Sequence, residues 1–199
     1  METIKLKSHS ILLFTVTVAA VFYAALAKAD GSRSAYSAGQ TAPAFQGRTT
    51  DGKTIKFPED YKGKIVLLDF WATWCAPCRR ELPNVTSTYE QYHSKGFEII
   101  GISLDRPREG PQLIQFTKEN NMPWPQVYDG QHWKAAVAVK YGVHSIPCPV
   151  LVDGDTGMIL AEGVDALGRK LQAVIEKGLE AKSRSPSGAS PSSERKGPG

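Results

Sequence analysis

The amino-acid sequence predicts an α/β domain: a central, mostly parallel sheet covered by helices on both faces, with its last two strands added antiparallel. Three observations predict it. Apolar runs of strand length, Ile65 to Trp71, Phe97 to Leu104 and Cys148 to Val152, alternate with segments whose apolar residues recur at helical spacing. Turn-forming breaks separate them, at Asp51-Gly52, at Gly96 and at Asp153-Gly154-Asp155-Thr156-Gly157. The chain has 199 residues and is 41% hydrophobic, which suffices for one buried core.

The first element is a leader, residues 1–29. Lys5 and Lys7 precede an apolar run from Ile11 to Ala27, and Ala27-Lys28-Ala29 offers a small-residue cleavage site before Asp30. That order reads as a signal peptide. The run also approaches the length of a membrane span, so an N-terminal membrane anchor is the second reading. Either one exports the rest of the chain to a periplasmic or other extracytoplasmic compartment. Residues 30–39 are small and polar and read as a flexible spacer. The domain occupies 40–182, and the Ser/Pro/Gly-rich segment 183–199 reads as a disordered tail.

Within the domain, Asp51-Gly52 predicts the turn of an N-terminal hairpin between Ala44–Thr49 and Lys53–Phe57. Ile65 to Trp71 is short, apolar and rich in Val and Ile, as a fully buried strand requires. Leu82, Val85, Tyr89 and Tyr92 then fall on one helical face, so Ala76 to about Lys95 predicts an amphipathic helix stopped by Gly96. Phe97 to Leu104 is the next strand. A central insertion follows: a helix over Pro111–Asn120, a short strand at Gln126–Tyr128 and a helix over Gln131–Tyr141. Cys148–Val152 and Met158–Glu162 form a closing hairpin, and Asp165–Glu180 a last helix with Leu167, Leu171, Val174, Ile175 and Leu179 on one face.

The formal charge is +4. Lys5, Lys7 and Lys28 outnumber Glu2 in the leader, and Lys182, Arg184, Arg195 and Lys196 outnumber Glu194 at the other end. The body between them is close to neutral, which argues against a nucleic-acid face.

The chemistry is concentrated in FWATWCAPCRRELP, Phe70 to Pro83. Disulfide exchange needs one partly ionised thiol and a second close enough to resolve the mixed disulfide. Cys75 sits where a buried strand hands over to a helix, so the helix amides and dipole favour its thiolate. Lowering a thiol pKa from about 8.5 to about 7 takes roughly 2 kcal/mol, within reach of a helix terminus. Cys78, one turn on, is the resolving cysteine on a more protected side. Trp74 beside Cys75, and Ala76 and Pro77 between the cysteines, form the surface offered to a partner protein; Trp74 also suits a cover over the disulfide. Arg79 and Arg80 add positive potential or are simply solvated.

Asp69 interrupts the apolar strand, and a buried carboxyl there has a raised pKa, making it a candidate proton acceptor for Cys78. Glu81, three residues past Cys78, is a second candidate. A tolerated strand-end Asp and a solvent-facing Glu are the plainer readings. The CxxC pair lacks a second CxxC or a His pair at zinc spacing, so metal is assigned to none of these residues and no cofactor is needed beyond the redox-active disulfide.

These residues resemble the active-site strand and helix of thioredoxin-like proteins, specifically the exported TlpA/ResA-like thiol-disulfide oxidoreductases. The likeness runs from about Gln40 to Lys182 and includes YKGKIVLLDFWATWC and YGVHSIPCPVLVDGDTG. It implies a thioredoxin-like fold with a central mixed sheet. It implies a cis proline at Pro147 facing the sulfurs, with Ile146 lining the substrate groove, and matches Pro83 to the helix-kinking proline. It also matches Asp69 to the buried aspartate of thioredoxins and Glu81 to the glutamate many relatives carry after the second cysteine. The activity implied is disulfide exchange with exported protein thiols and disulfides, as a reductant recharged by an upstream redox partner.

Cys148-Pro149 departs from the family pattern. Cys148 reads as a small buried core residue, the alternative being a third thiol near the pair. Two other functions compete. A peroxiredoxin-like peroxidase would carry Pro and Thr seven and three residues before its reactive cysteine, where this chain has Leu68 and Ala72. A copper or metal-binding module would use Cys75, Cys78 and His144 as ligands. The Asp153–Gly157 segment suits a strand-to-strand turn better than a calcium loop, and Trp124 and Trp133 read as core or groove packing.

Overall fold

The Asp51-Gly52 turn joins β1 (Phe45–Arg48) to β2 (Thr54–Phe57), paired antiparallel with Phe45 opposite Phe57. The computed structural model describes residues 34–184; the leader, the start of the spacer and the tail from 185 lie outside the described residues. A five-stranded sheet follows from β3 (Ile65–Trp71), β4 (Phe97–Ser103), β5 (Gln126–Val127), β6 (Cys148–Asp153) and β7 (Ile159–Glu162), in the order β5-β4-β3-β6-β7. β3, β4 and β5 run parallel, whereas β6 and β7 are antiparallel additions. The predicted sheet is thus the observed one.

β3 is central because every residue but Asp69 is apolar, and those apolar residues are all buried, with Asp69 largely enclosed among them. One face carries α1 (Ala76–Tyr92), α2 (Gly110–Glu119) and α4 (Gly168–Arg184), with Phe116 of α2 against Trp71 at 5.6 Å. The other face is closed by α3 (Ala136–Lys140) and the hairpin, through Tyr141 packed on Phe70 at 5.3 Å and on Phe45 at 6.1 Å. The hairpin also covers the β5 edge, since Thr50 N donates to Gln126 O and Tyr128 N to Arg48 O.

Four segments differ from the sequence expectation. The helix expected over Gln131–Tyr141 is split into a 3-10 turn, His132–Lys134, and α3. The cause is Asp129, whose carboxylate accepts from Gln131 N and Ala136 N and so caps two separate turns. The closing helix starts three residues late, at Gly168, after a 3-10 turn over Gly163–Ala166 and an extended Leu167. It then continues to Arg184, into the stretch read as tail, burying Leu171 and Ile175. The described part of the spacer, 34–39, is tied to the domain: Ser34 Oγ and Ala35 N donate to Tyr141 O, and Gly39 N to Ile159 O.

In the Asp153–Gly157 turn, the Lys182 ammonium sits 2.8 Å from Asp153 and 2.5 Å from Asp155. This places a cation already within the chain between the two carboxylates, consistent with a turn. A second cis peptide precedes Pro58, unforeseen in the sequence.

Candidate active site

β3 ends at Trp71, and four residues later Cys75 becomes the N-cap of α1. Its backbone is extended there, at φ −80° and ψ 98°, while Cys75 N donates to Ala72 O and Arg79 N to Cys75 O. Pro77 occupies the first turn, where its missing N–H leaves nothing unpaired. Cys75 and Cys78 form a disulfide with their Cα atoms 5.3 Å apart. The Sγ of Cys75 accepts a 3.2 Å hydrogen bond from Cys78 N, so a first-turn amide of α1 already points at the sulfur.

The expected contrast in exposure is absent in this disulfide form: Cys75 is 4% exposed and Cys78 8%. Trp74, next in sequence to Cys75, is 37% exposed and packs tilted against His132 at 5.2 Å and edge-on to Trp133 at 6.1 Å. The Arg106 guanidinium lies 5.7 Å from the Trp74 ring. Ala76 and Pro77 are exposed on the rim. Trp124 belongs to the core, against Tyr89, while Trp133 stays on the surface.

Beneath Cys78 lies a narrow cavity of about 10 Å³ bordered by Asp69, Trp71, Glu81, Pro147, Pro149 and Leu167, among others. That is at the lower limit for a single water. The Ile146–Pro147 bond is cis, and Ile146 packs partly buried against the core beside it. Asp69, Glu81 and Pro147 therefore border one cavity with Cys78. Burial, and secondarily the nearby Glu81 charge, pushes the Asp69 carboxyl up to about 7. Glu81 does not simply face solvent: its Oε1 accepts a 2.9 Å hydrogen bond from Gly168 N at the start of α4.

Cys148 is 1% exposed, and register fixes its side. Asp69 pairs with Pro149 and Phe70 with Cys148. Opposed residues in an antiparallel pair share a face, so Cys148 lies on the Phe70 side of the sheet and Asp69 on the cavity side. The core reading of Cys148 follows. His144 is exposed, and among the described residues no three His, Cys, Asp or Glu side chains converge to hold a metal.

Sequence reasoning missed two elements of the site. Asp105, after β4, is fully buried and binds Thr73, two residues before Cys75. Gln126 Oε1 accepts from Trp71 Nε1 at 3.0 Å. An acid directly after an apolar strand was the available signal for Asp105.

Comparison with known proteins agrees with this geometry. The model of the AhpC/TSA family matches residues 38–161. The thiol-disulfide oxidoreductase ResA of Oceanobacillus iheyensis is 38% identical over 126 residues, covering 60% of this chain and 62% of that protein. The ResA of Geobacillus kaustophilus is 30% identical over 170 residues, or 84% of this chain and 91% of that one. Among solved structures, the thioredoxin domain of a thiol-disulfide oxidoreductase from Bacteroides vulgatus aligns with a TM-score of 0.63 and 33% identity, covering 73% of this chain and 99% of that domain. A DsbE thiol:disulfide interchange protein from Chlorobium tepidum aligns with a TM-score of 0.60 and 28% identity, over 71% of this chain and 97% of that one. With its CxxC disulfide at the strand-to-helix junction of a thioredoxin-like fold, the chain belongs to the AhpC/TSA family and, within it, to the ResA-like thiol-disulfide oxidoreductases.

Proposed function

We propose that this chain exchanges disulfides with exported protein substrates through Cys75 and Cys78, and that it acts as their reductant outside the cytoplasm. The observation that carries this reading is the disulfide at the start of α1, set over a cavity that holds Asp69, Glu81 and Pro147.

In the reduced protein the Cys75 thiolate attacks a partner disulfide. The partner S–S bond breaks, its far sulfur leaves as a thiolate, and a Cys75–partner disulfide forms. Asp69 accepts the Cys78 proton, and the resulting Cys78 thiolate attacks the Cys75 sulfur. The partner leaves with both its sulfurs reduced, and two electrons have passed to it from the pair. An upstream redox partner restores the dithiol. Position at the helix start, more than exposure, supports Cys75 as the attacking sulfur. Trp74, Ala76, Pro77, Ile146 and Pro147 form the surface against which the partner segment lies. Export rests on the leader, as a cleaved signal or as an anchor that tethers the domain to a membrane.

The competing reading is a peroxiredoxin-like peroxidase, but Leu68 and Ala72 stand where a peroxiredoxin carries its Pro and Thr. Hydrogen peroxide turnover by purified protein, compared with a free thiol, separates the two.

The test of the proposal is trapping. Cys78→Ser accumulates mixed disulfides with protein partners, and Cys75→Ser does not; the reverse pattern overturns the assignment. The reduction potential of the pair, measured against a glutathione series, decides the direction of electron flow.

A further inference from the structure

The turn that presents Cys75 is held from outside its own strand and helix. Asp105 follows β4 and is 0% exposed. Its Oδ1 accepts from Thr73 N at 3.1 Å and from Thr73 Oγ at 2.6 Å, and its Oδ2 accepts from Ser103 Oγ at 2.7 Å. Ser103 Oγ in turn accepts from Asp105 N at 3.1 Å. All these donors are neutral. Burying a carboxylate on neutral donors is expensive, and an apolar pair of similar shape serves stability as well or better.

The neighbours repeat the pattern. Arg106 lies over Trp74, so consecutive residues after β4 hold consecutive residues before Cys75. The holding loop is itself anchored: Tyr128 Oη donates to Arg106 O at 2.6 Å, and Leu104 N donates to Trp71 O at 2.8 Å. Thr73 Oγ and N both point to one carboxylate, which leaves the Ala72–Cys75 turn a single orientation. Attack on a disulfide requires the sulfur in line with the S–S bond, and small misplacements of a reacting group are costly in rate.

We propose that Asp105 is a positioning residue for Cys75, acting through Thr73. This rests on the exchange reaction proposed above. The carboxylate fixes the backbone that carries the attacking sulfur, and its negative charge opposes the helix terminus in setting the Cys75 thiol.

The test uses Asp105→Asn, Thr73→Val, Thr73→Ser and a control, Val152→Ala, which opens a small hole at a buried site at the far end of β6. Two quantities are read in each reduced protein: the pH midpoint of Cys75 alkylation by iodoacetamide, and the rate of exchange with a disulfide-bonded peptide. Asp105→Asn moves the alkylation midpoint downward and slows exchange about 5-fold or more. Thr73→Val, which keeps its N–H to Asp105 and so the fold, slows exchange by a smaller factor. Thr73→Ser restores the wild-type rate, and Val152→Ala lowers Tm without moving either readout. Unchanged midpoints and rates in Asp105→Asn and Thr73→Val, whatever their Tm, make Asp105 a stability residue and overturn the proposal. Alkylation needs no partner, so failure of the wild type to exchange with any peptide strikes at the proposed function alone.

Discussion

Glu81 and Gly168, 87 residues apart in the chain, are joined by a 2.9 Å hydrogen bond in which the amide opening α4 donates to a carboxylate bordering the Cys78 cavity. The acid that the sequence offered as a proton acceptor is also one of the links between the redox helix and the last helix, beside Tyr92–Glu176 and Gln172–Thr88.

Gly168→Ala tests that link. Gly168 has φ +52°, and an added Cβ would lie 4.0 Å from Glu81 Oε1, so space is available and backbone strain is the main cost. A loss of about 1–2 kcal/mol is expected in urea unfolding.

Asp69 makes stability depend on pH in an unusual direction. Its folded pKa of about 7 exceeds the unfolded value of 3.8, so its contribution is fully present below about pH 4 and is lost as pH rises through 7. Asp69→Asn removes that slope. Relative to the variant, the wild type loses on the order of 2–4 kcal/mol between pH 4 and pH 8, read from urea midpoints across the range.

Glu81→Gln separates charge from geometry, because the amide oxygen still accepts from Gly168 N. Removing the neighbouring negative charge lowers the Asp69 pKa. The pH window of the Asp69-linked stability loss therefore shifts to lower pH, by less than about one unit because burial remains the larger cause. A window that stays in place, or moves up, contradicts the coupling.

Gly101→Ala probes the support under Trp71. A Cβ at Gly101 would fall 2.0 Å from Gln126 Oε1, the atom that accepts from Trp71 Nε1. Gln126 must move and Trp71 loses its partner, at a cost of about 2–4 kcal/mol in thermal or urea unfolding.

Cys148→Ala shrinks a buried side chain on the far side of the sheet from Asp69. It costs about 1 kcal/mol and leaves the potential of the Cys75–Cys78 pair unchanged. A shifted potential would return Cys148 to the redox site.

The parts legible in the sequence are those specified by their own residues. β3 and the start of α1 appear at the expected positions because an apolar run and a proline-bearing helix start are local signals. The gathering of Asp69, Glu81, Cys78 and Pro147 was anticipated through family likeness more than periodicity. Elements fixed by distant partners were misread. Asp129 breaks the third helix from outside it, Glu81 receives the first amide of α4 across the fold, and Tyr141 O holds residues 34 and 35. Asp105 escaped for the same reason, since its meaning lies in Thr73, 32 residues away.

The register that sets Phe70 opposite Cys148 also bears on oxidative folding. Three thiols allow three pairings during oxidation, and two of them would consume the redox pair. In the folded sheet the pleat turns Cys148 inward and away from the cavity side, while Cys75 and Cys78 sit within one helical turn of each other. Once β3 and β6 have paired, the isomer with the 75–78 bond is the one the backbone favours. Scrambling is then confined to chains that have not yet closed the sheet, and a one-residue slip of β6 would turn the third sulfur toward the reactive side.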